Sequence, residues 1–485
     1  MYGTQGEMVY PLDDTCIHLA MAKNLALYGV WGIEPGSYAF CSSSPLWTIL
    51  LAAIVKVFGC LISIPLAVST MCVAFLAIVV DRFLAKSGMG VWMRLAGAAL
   101  VGFVAPFAVL SGMGMEHALH TLLVLGVVYS YCARRDAMMC ILALLATATR
   151  YESLFLLLPL VVAVALERRW RWAVALLLCS VAPAIAYALY AVAHGGHILP
   201  NSLLLKVGIY SAGDALGAAV AAATAMNTPS LLMMLIIASM AVLAWHEISQ
   251  RGMQRGALVA AALAVATAGH YVFVGKFQFY RYEAYLVCAA FTLMVGCSLK
   301  TMPKWALGIF LATAAFGTLR GISAIRDEIR APRDIYLQQV QMARLFASIP
   351  ESERGPVAIN DLGYMCLQCK APVVDIWGLG TQTAADLHIA ANGTFLPENI
   401  KKLIDGFGVK YAALFPKWFS PRFLPDSLRH VAVLKNEDNV FCGQNEVWLY
   451  ANGDDAAKSL SRAAEAYKEK LPPGAKLIVA WRGAE

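Results

Sequence analysis

Apolar residues run through this chain in long unbroken stretches instead of alternating with polar ones. The stretches cover 45–58, 61–80, 95–110, 117–132, 137–149, 153–166, 173–193, 230–245, 257–274, 284–299 and 305–319. Runs of this kind read as helices made for a bilayer, because a membrane-spanning strand shows only about ten residues of alternating polarity. After Arg320 the texture changes to strand-like pieces at 357–360, 373–377, 409–415 and 476–481, set between helical and Pro/Gly-rich segments. The pattern predicts three parts. Residues 1–60 are an outer-face first loop with two interfacial helices, 61–320 a transmembrane domain, and 321–485 a soluble α/β domain outside the membrane.

Composition agrees with a polytopic α-helical membrane protein. The chain is 60% hydrophobic and 14% charged, against about 25% charged in a soluble domain. These proportions exclude a disordered chain and a disulfide-stapled mini-protein. Most of the twelve cysteines fall in or beside apolar runs, where they act as small apolar fillers. Cys16, Cys41, Cys366, Cys369 and Cys442 fall outside the runs, where an oxidising compartment permits a disulfide.

Charge orients the helices. Taken alternately from residue 81 onward, one set of connections holds twelve basic residues: Arg82, Lys86, Arg94, Arg134, Arg135, Arg168, Arg169, Arg171, Arg251, Arg255, Lys300 and Lys304. The other set holds four, Arg150, Lys206, Lys276 and Arg281. The richer set is cytoplasmic by the positive-inside rule. These loops account for the net charge of +7, so it needs no nucleic acid. The run 45–58 covers only ~21 Å of a ~30 Å core, begins at Ser44-Pro45 and ends at Gly59. It reads as an interfacial helix, which leaves about ten spans. An outer N-terminal segment with no leading apolar run implies a first transmembrane helix missing from this chain.

Polar clusters gather on the outer side. The hairpin 137–166 crosses twice with about a dozen residues in each half, so its turn, Thr149-Arg150-Tyr151-Glu152-Ser153, lies below the outer surface. Arg150 and Glu152 there either form a recessed polar site or pair with each other as a structural turn. Pro11-Leu12-Asp13-Asp14 opens a helix-like stretch with His18 one turn on. One aspartate can serve as N-cap, and two in a row leave the other as a candidate general base. Ser111-Gly112-Met113-Gly114-Met115-Glu116-His117 forms a tight turn, and His197 to Lys206, with Asn201, a long outer loop. Gly275-Lys276-Phe277-Gln278-Phe279-Tyr280-Arg281-Tyr282-Glu283 is either an aromatic belt with snorkelling cations or an anion site for a lipid phosphate. No run carries a charge at its middle, which counts against an ion-coupled transporter.

Together these motifs resemble the GT-C fold glycosyltransferases. Pro11-Leu12-Asp13-Asp14-Thr15-Cys16-Ile17-His18-Leu19-Ala20, then Ser42-Ser43-Ser44-Pro45-Leu46-Trp47-Thr48, resembles their first loop. Ser111 to His117, Arg150-Tyr151-Glu152, Pro200-Asn201-Ser202 through Lys206, Asn360-Asp361-Leu362-Gly363-Tyr364 and Val374-Asp375-Ile376-Trp377-Gly378-Leu379 follow in the same order. The likeness is closest to bacterial arabinofuranosyltransferase- and mannosyltransferase-like members, related to protein O-mannosyltransferases and lipid A aminoarabinose transferases. Those enzymes have a span before the aspartate motif, and where they carry Tyr or Phe this chain has Cys16.

The resemblance implies an inverting transferase of the inner (plasma) membrane with its site and C-terminal domain extracytoplasmic. It would move a pentofuranose or hexose, such as arabinose or mannose, from a polyprenyl-phosphate donor to a glycan, lipid or protein acceptor. Asp13 is then the base, with Asp14 orienting an acceptor or a divalent metal. Arg150, Lys206, Lys276 and Arg281 would hold the donor phosphate. His18, Glu116, His117, Tyr151, Glu152, Asn201 and Tyr280 would line the substrate cavity. A lipid-linked-sugar flippase or another non-catalytic membrane protein is the alternative; it would be favoured by mid-span charges and pseudo-repeats, and the sequence shows neither.

Overall fold

The computed structural model describes residues 3–207, 228–274, 278–297, 302–418 and 423–481. In chain order its membrane part contains α1 (Asp14–Tyr28), α2 (Pro45–Phe58), α3 (Ile64–Lys86), α4 (Val91–Val104), α5 (Phe107–Gly112), α6 (His117–Cys132) and α7 (Asp136–Thr149). There follow α8 (Leu154–Leu166), α9 (Trp170–Ala193), α10 (Asn201–Val207), α11 (Thr228–Arg251), α12 (Arg255–Phe273), α13 (Ala284–Gly296) and α14 (Lys304–Ile335). Among the described residues five segments are long and apolar enough to cross a membrane: α3, α9, Pro229–Gln250 of α11, α12, and the continuous Lys304–Ala347. The shorter apolar helices include α2, α4, α6, α7, α8 and α13. The expected run 95–110 is broken at Pro106, whose ring removes a backbone donor, so α4 and α5 are separate.

α1 and α2 pack on each other, joined by the first loop. Pro45 occupies the first turn of α2, where a missing N–H is harmless, and Gly59 at φ +78° ends the helix. All the described cysteines are free.

The helix that carries the last apolar run does not stop at Arg320. α14 continues fifteen residues past it, then passes through a π-helical segment (Tyr336–Val340) into α15 (Gln341–Ala347). Arg320 is buried along the way. It ion-pairs with Glu283 at 2.7 Å and donates to the carbonyls of Val104 at 2.8 Å and Tyr280 at 2.7 Å. One guanidinium thereby ties α14 to the end of α4 and to the segment before α13.

The C-terminal domain is built on one six-stranded sheet, order β2-β1-β3-β5-β4-β6. Its strands are β1 (Val357–Ile359), β2 (Val373–Asp375), β3 (Tyr411–Leu414), β4 (Leu428–Asn436), β5 (Glu446–Asn452) and β6 (Ala475–Val479). β1 runs parallel to both β2 and β3, while the other pairs are antiparallel. The four strand-like pieces in the sequence correspond to β1, β2, β3 and β6. Between them lie α16 (Met365–Gln368), α17 (Gln382–Ala390) and α18 (Pro397–Gly406), and α19 (Asp454–Tyr467) follows β5. The N-terminal segment joins this domain: the Tyr10 amide donates to Tyr364 Oη at 3.0 Å, and Arg344 pairs with Glu7.

Removing Arg320 leaves Glu283 as an uncompensated buried charge. Arg320→Met is expected to destabilise the protein by about 3–5 kcal/mol, read as a lower thermal midpoint in detergent. Adding Glu283→Gln should restore part of the loss, and a double variant no better than the single one would refute the pairing.

Candidate active site

The first loop, the 111–117 turn, the 149–153 turn, the segment before α13 and the soluble domain together enclose one cavity of about 1730 Å³. Asp13 is the residue before α1, yet its side chain makes no capping bond. Its carboxyl instead meets Asp361, on the loop leaving β1, in a hydrogen bond between two acids. Such a bond requires one proton between the pair. Gln339, carried on the π-helical segment, donates to the same Asp361 carboxyl. Gly363, at φ +28°, lets the loop come this close: a Cβ there would stand 2.6 Å from Asp13 Oδ2.

Asp14, one residue on, faces a cation. Arg281 Nη2 donates to Asp14 Oδ2 at 2.9 Å, and Nη1 contacts Met115 Sδ at 3.0 Å. Arg281 Nε is buried without a hydrogen-bond partner among the described residues. Arg150 is also buried and is gripped by two carboxylates, Glu116 at 2.5 Å and Glu152 at 2.5 and 3.1 Å. The Arg150–Glu152 pair therefore belongs to the cavity and also braces its own turn. Both guanidinium groups lie over the Tyr282 ring, at 5.0 and 4.9 Å from its centroid. His18 Nε2 stands 3.4 Å from Glu116 Oε2, and its Nδ1 stands 3.4 Å from Ser42 Oγ.

Asp13, Asp14, His18, Glu116, Arg150, Tyr151, Glu152, Tyr280 and Arg281 all line the cavity. His117 and Asn201 do not. His117 stands edge-on to Tyr282, and Asn201 donates to the carbonyls of Gly378 and Leu379, fastening α10 to the soluble domain. Lys276 and the side chain of Lys206 lie outside the described residues. Among the described residues no three His, Cys, Asp or Glu side chains are grouped to hold a metal ion. Asp361 and Trp377 also line the cavity, and sequence reasoning gave neither a role. Their signal was position: each sits just past the C-terminal end of a parallel strand, where open α/β sheets bind ligands.

Below this polar chamber the cavity continues between α8 and α12. Leu154, Leu158, Val162 and Leu166 form one wall, and Leu258, Ala262, Val265 and Phe273 the other. From Leu154 to Leu166 the wall extends roughly 18 Å, lined throughout by carbon.

A family model described as a domain of unknown function (DUF8728) matches residues 327–450. No curated protein matches the chain. Among solved structures, the chain is similar to the crystal structure of ArnT from Cupriavidus metallidurans bound to undecaprenyl phosphate. Identity is 12% and the TM-score 0.51, over 94% of this chain and 96% of that one. The apo form of the same ArnT gives 15% identity and a TM-score of 0.43, over 91% and 94%. The chain thus has an ArnT-like fold, with a sheet-bearing C-terminal region following its apolar helices.

Two carboxyls of the soluble domain titrate above the ordinary range. Burial, followed by the charge and hydrogen bond of Asp13, raises Asp361 well above it. Burial raises Asp375 to about 6, against the lowering effect of the Gly380 and Trp377 backbone N–H groups. Unfolded aspartates release their protons near ~4, so above that pH the folded state binds more protons and stability falls as pH rises. The thermal midpoint is expected to drop between pH 5 and pH 8, and Asp361→Asn to flatten that slope. An equal slope in wild type and variant would show that Asp361 does not cause it.

Proposed function

We propose that the protein is a glycosyltransferase that takes a sugar from a polyprenyl-phosphate donor and passes it to an acceptor hydroxyl. The observation that carries this reading is the continuity of the cavity, in which an acidic, guanidinium-bearing chamber opens directly into the apolar channel between α8 and α12. That shape suits a ligand with a charged head and a long hydrocarbon tail. The fold supports it too, since the ArnT it resembles was crystallised with undecaprenyl phosphate.

The residues divide the chemistry between them. The bond from the sugar's anomeric carbon to the phosphate oxygen breaks as the acceptor oxygen attacks from the opposite face, inverting the centre. Polyprenyl phosphate leaves with the bonding pair. Arg281, whose buried Nε has no hydrogen-bond partner among the described residues, receives the growing phosphate charge, and Arg150 offers a second guanidinium on the same chamber wall. The acceptor proton goes to a carboxylate, assigned here to Asp13. Its neighbour Asp361, raised by burial and by the charge of Asp13, holds the proton of the pair, which leaves Asp13 as the ionised member that can accept one. Asp14, held by Arg281, orients the acceptor or the phosphate-binding guanidinium.

The excess of basic residues in alternate connections supports a chamber on the outer face of a bacterial inner membrane, with the soluble domain extracytoplasmic. The donated sugar is a pentofuranose or hexose such as arabinose or mannose. The purified protein in nanodiscs, given a panel of polyprenyl-phosphate sugars, is expected to release polyprenyl phosphate from one of them. Asp13→Asn should cut that rate by about 10²–10⁴-fold while leaving the thermal midpoint near wild type. A panel left wholly intact would sink the transferase reading.

A further inference from the structure

The soluble domain roofs the chamber with one particular edge of its sheet. β1, β2 and β3 are mutually parallel, and all three deliver their C-terminal ends to the cavity. β1 leads to Asp361, β2 ends at Asp375 and leads to Trp377, and β3 is followed by Phe415 and Trp418. The turn after β2 is tightly organised. Asp375 accepts from the backbone N–H groups of Trp377 at 2.9 Å and Gly380 at 2.7 Å, and Thr381 Oγ1 accepts from the Asp375 amide at 2.9 Å. Asp375 is thus spent on building the turn, and the turn's product is a fixed Trp377.

The two tryptophans form a supported aromatic corner. Their ring centroids are 5.1 Å apart, with planes tilted by 51°. Phe395 backs Trp377 at 5.0 Å, and Phe415 backs Trp418 at 5.2 Å. Both indoles line the cavity, and Trp418 keeps 39% of its surface exposed. Side chains held this way present flat apolar faces at little entropic cost on binding. Among the described roof residues on the cavity none is cationic.

We infer that this roof, the Trp377–Trp418 corner with the Asp361 carboxyl beside it, is the acceptor subsite and that its ligand is a neutral saccharide. The inference rests on the transferase reading and adds to it the chemical class of the acceptor. Sugar rings stack their C–H faces on indole, and a carboxyl accepts from or donates to their hydroxyls. An acid-and-aromatic roof without a cation disfavours a phosphorylated lipid acceptor. It also presents strand ends, not a free strand edge, which a peptide would need in order to add by backbone pairing. Asp361 is the hinge of the arrangement, since it touches both the roof and Asp13. A hydroxyl bound to it is brought next to the base.

The test is direct binding, without turnover. The full chain in nanodiscs is titrated with mannobiose, an arabinofuranose disaccharide, galactobiose and chitobiose, with a Ser/Thr tripeptide and phosphatidylglycerol as comparisons. Intrinsic tryptophan fluorescence is the readout. One of the disaccharides is expected to bind, and Trp377→Ala and Trp418→Ala each to weaken it about tenfold. Trp377→Phe, which keeps a ring, should lose less. Undecaprenyl phosphate affinity is measured on the same samples and reports whether each variant keeps its fold and its donor channel. Saccharide binding that survives in both alanine variants, binding of none of the four, or preference for the tripeptide or the phospholipid overturns the inference. Failure of wild type to bind undecaprenyl phosphate overturns the donor reading instead, whichever way the saccharide titrations go.

Discussion

The structure depends on keeping guanidinium groups out of water. Arg150, Arg281 and Arg320 are each almost wholly buried, and an unpaired charge in a low-dielectric interior is penalised by several kcal/mol or more. Each one therefore recruits carboxylates and carbonyls from distant parts of the chain. Arg150 draws in Glu116 and Glu152, Arg281 draws in Asp14, and Arg320 draws in Glu283 with two carbonyls. Those demands bring the first loop, the 111–117 turn, the 149–153 turn and the segment before α13 to one place. The apolar faces pack the helices together; the charges decide which helix ends meet.

The same constraint explains the asymmetry of the two first-loop aspartates. Asp14 is drawn to Arg281, while Asp13 faces another acid across the boundary with the soluble domain. Two neighbouring carboxyls at one helix start thus have different electrostatic surroundings, the arrangement by which a site can give two acids different proton affinities. The soluble domain is part of this division. Its parallel strands end over the chamber, and the π-helical segment after α14 turns Gln339 toward Asp361. Such segments commonly mark functional sites.

Much of this was legible in the sequence, for physical reasons. Long uncharged runs have few alternatives to membrane helices, so the hairpin 137–166 and its recessed Arg150 turn could be read directly. The strands β1, β2 and β3 are short and almost wholly apolar because both their faces are covered. β4 and β5 escaped notice: Arg429, His430 and Lys435 interrupt β4, and Glu446, Trp448 and Asn452 give β5 a mixed texture. Arg320 marks the end of the apolar run in the sequence, yet the helix continues past it because Glu283 neutralises the buried guanidinium. Asp361 and the tryptophan corner were hidden for another reason. Asp361 meets Asp13, 348 positions earlier, and Trp377 meets Trp418, 41 positions later, and no local pattern records such meetings.

That separation bears on how the protein is made. The contact between the Tyr10 amide and the Tyr364 hydroxyl joins residues 354 positions apart, and the acid pair at Asp13 and Asp361 is closed by the same docking. A ribosome releases the first loop long before the strand that roofs it exists. Until then the chamber has no roof, and Asp13 has neither Asp361 nor Gly363 beside it. Completion of the last domain is thus what closes the cavity, and a chain cut short anywhere before β1 lacks every strand end that lines it.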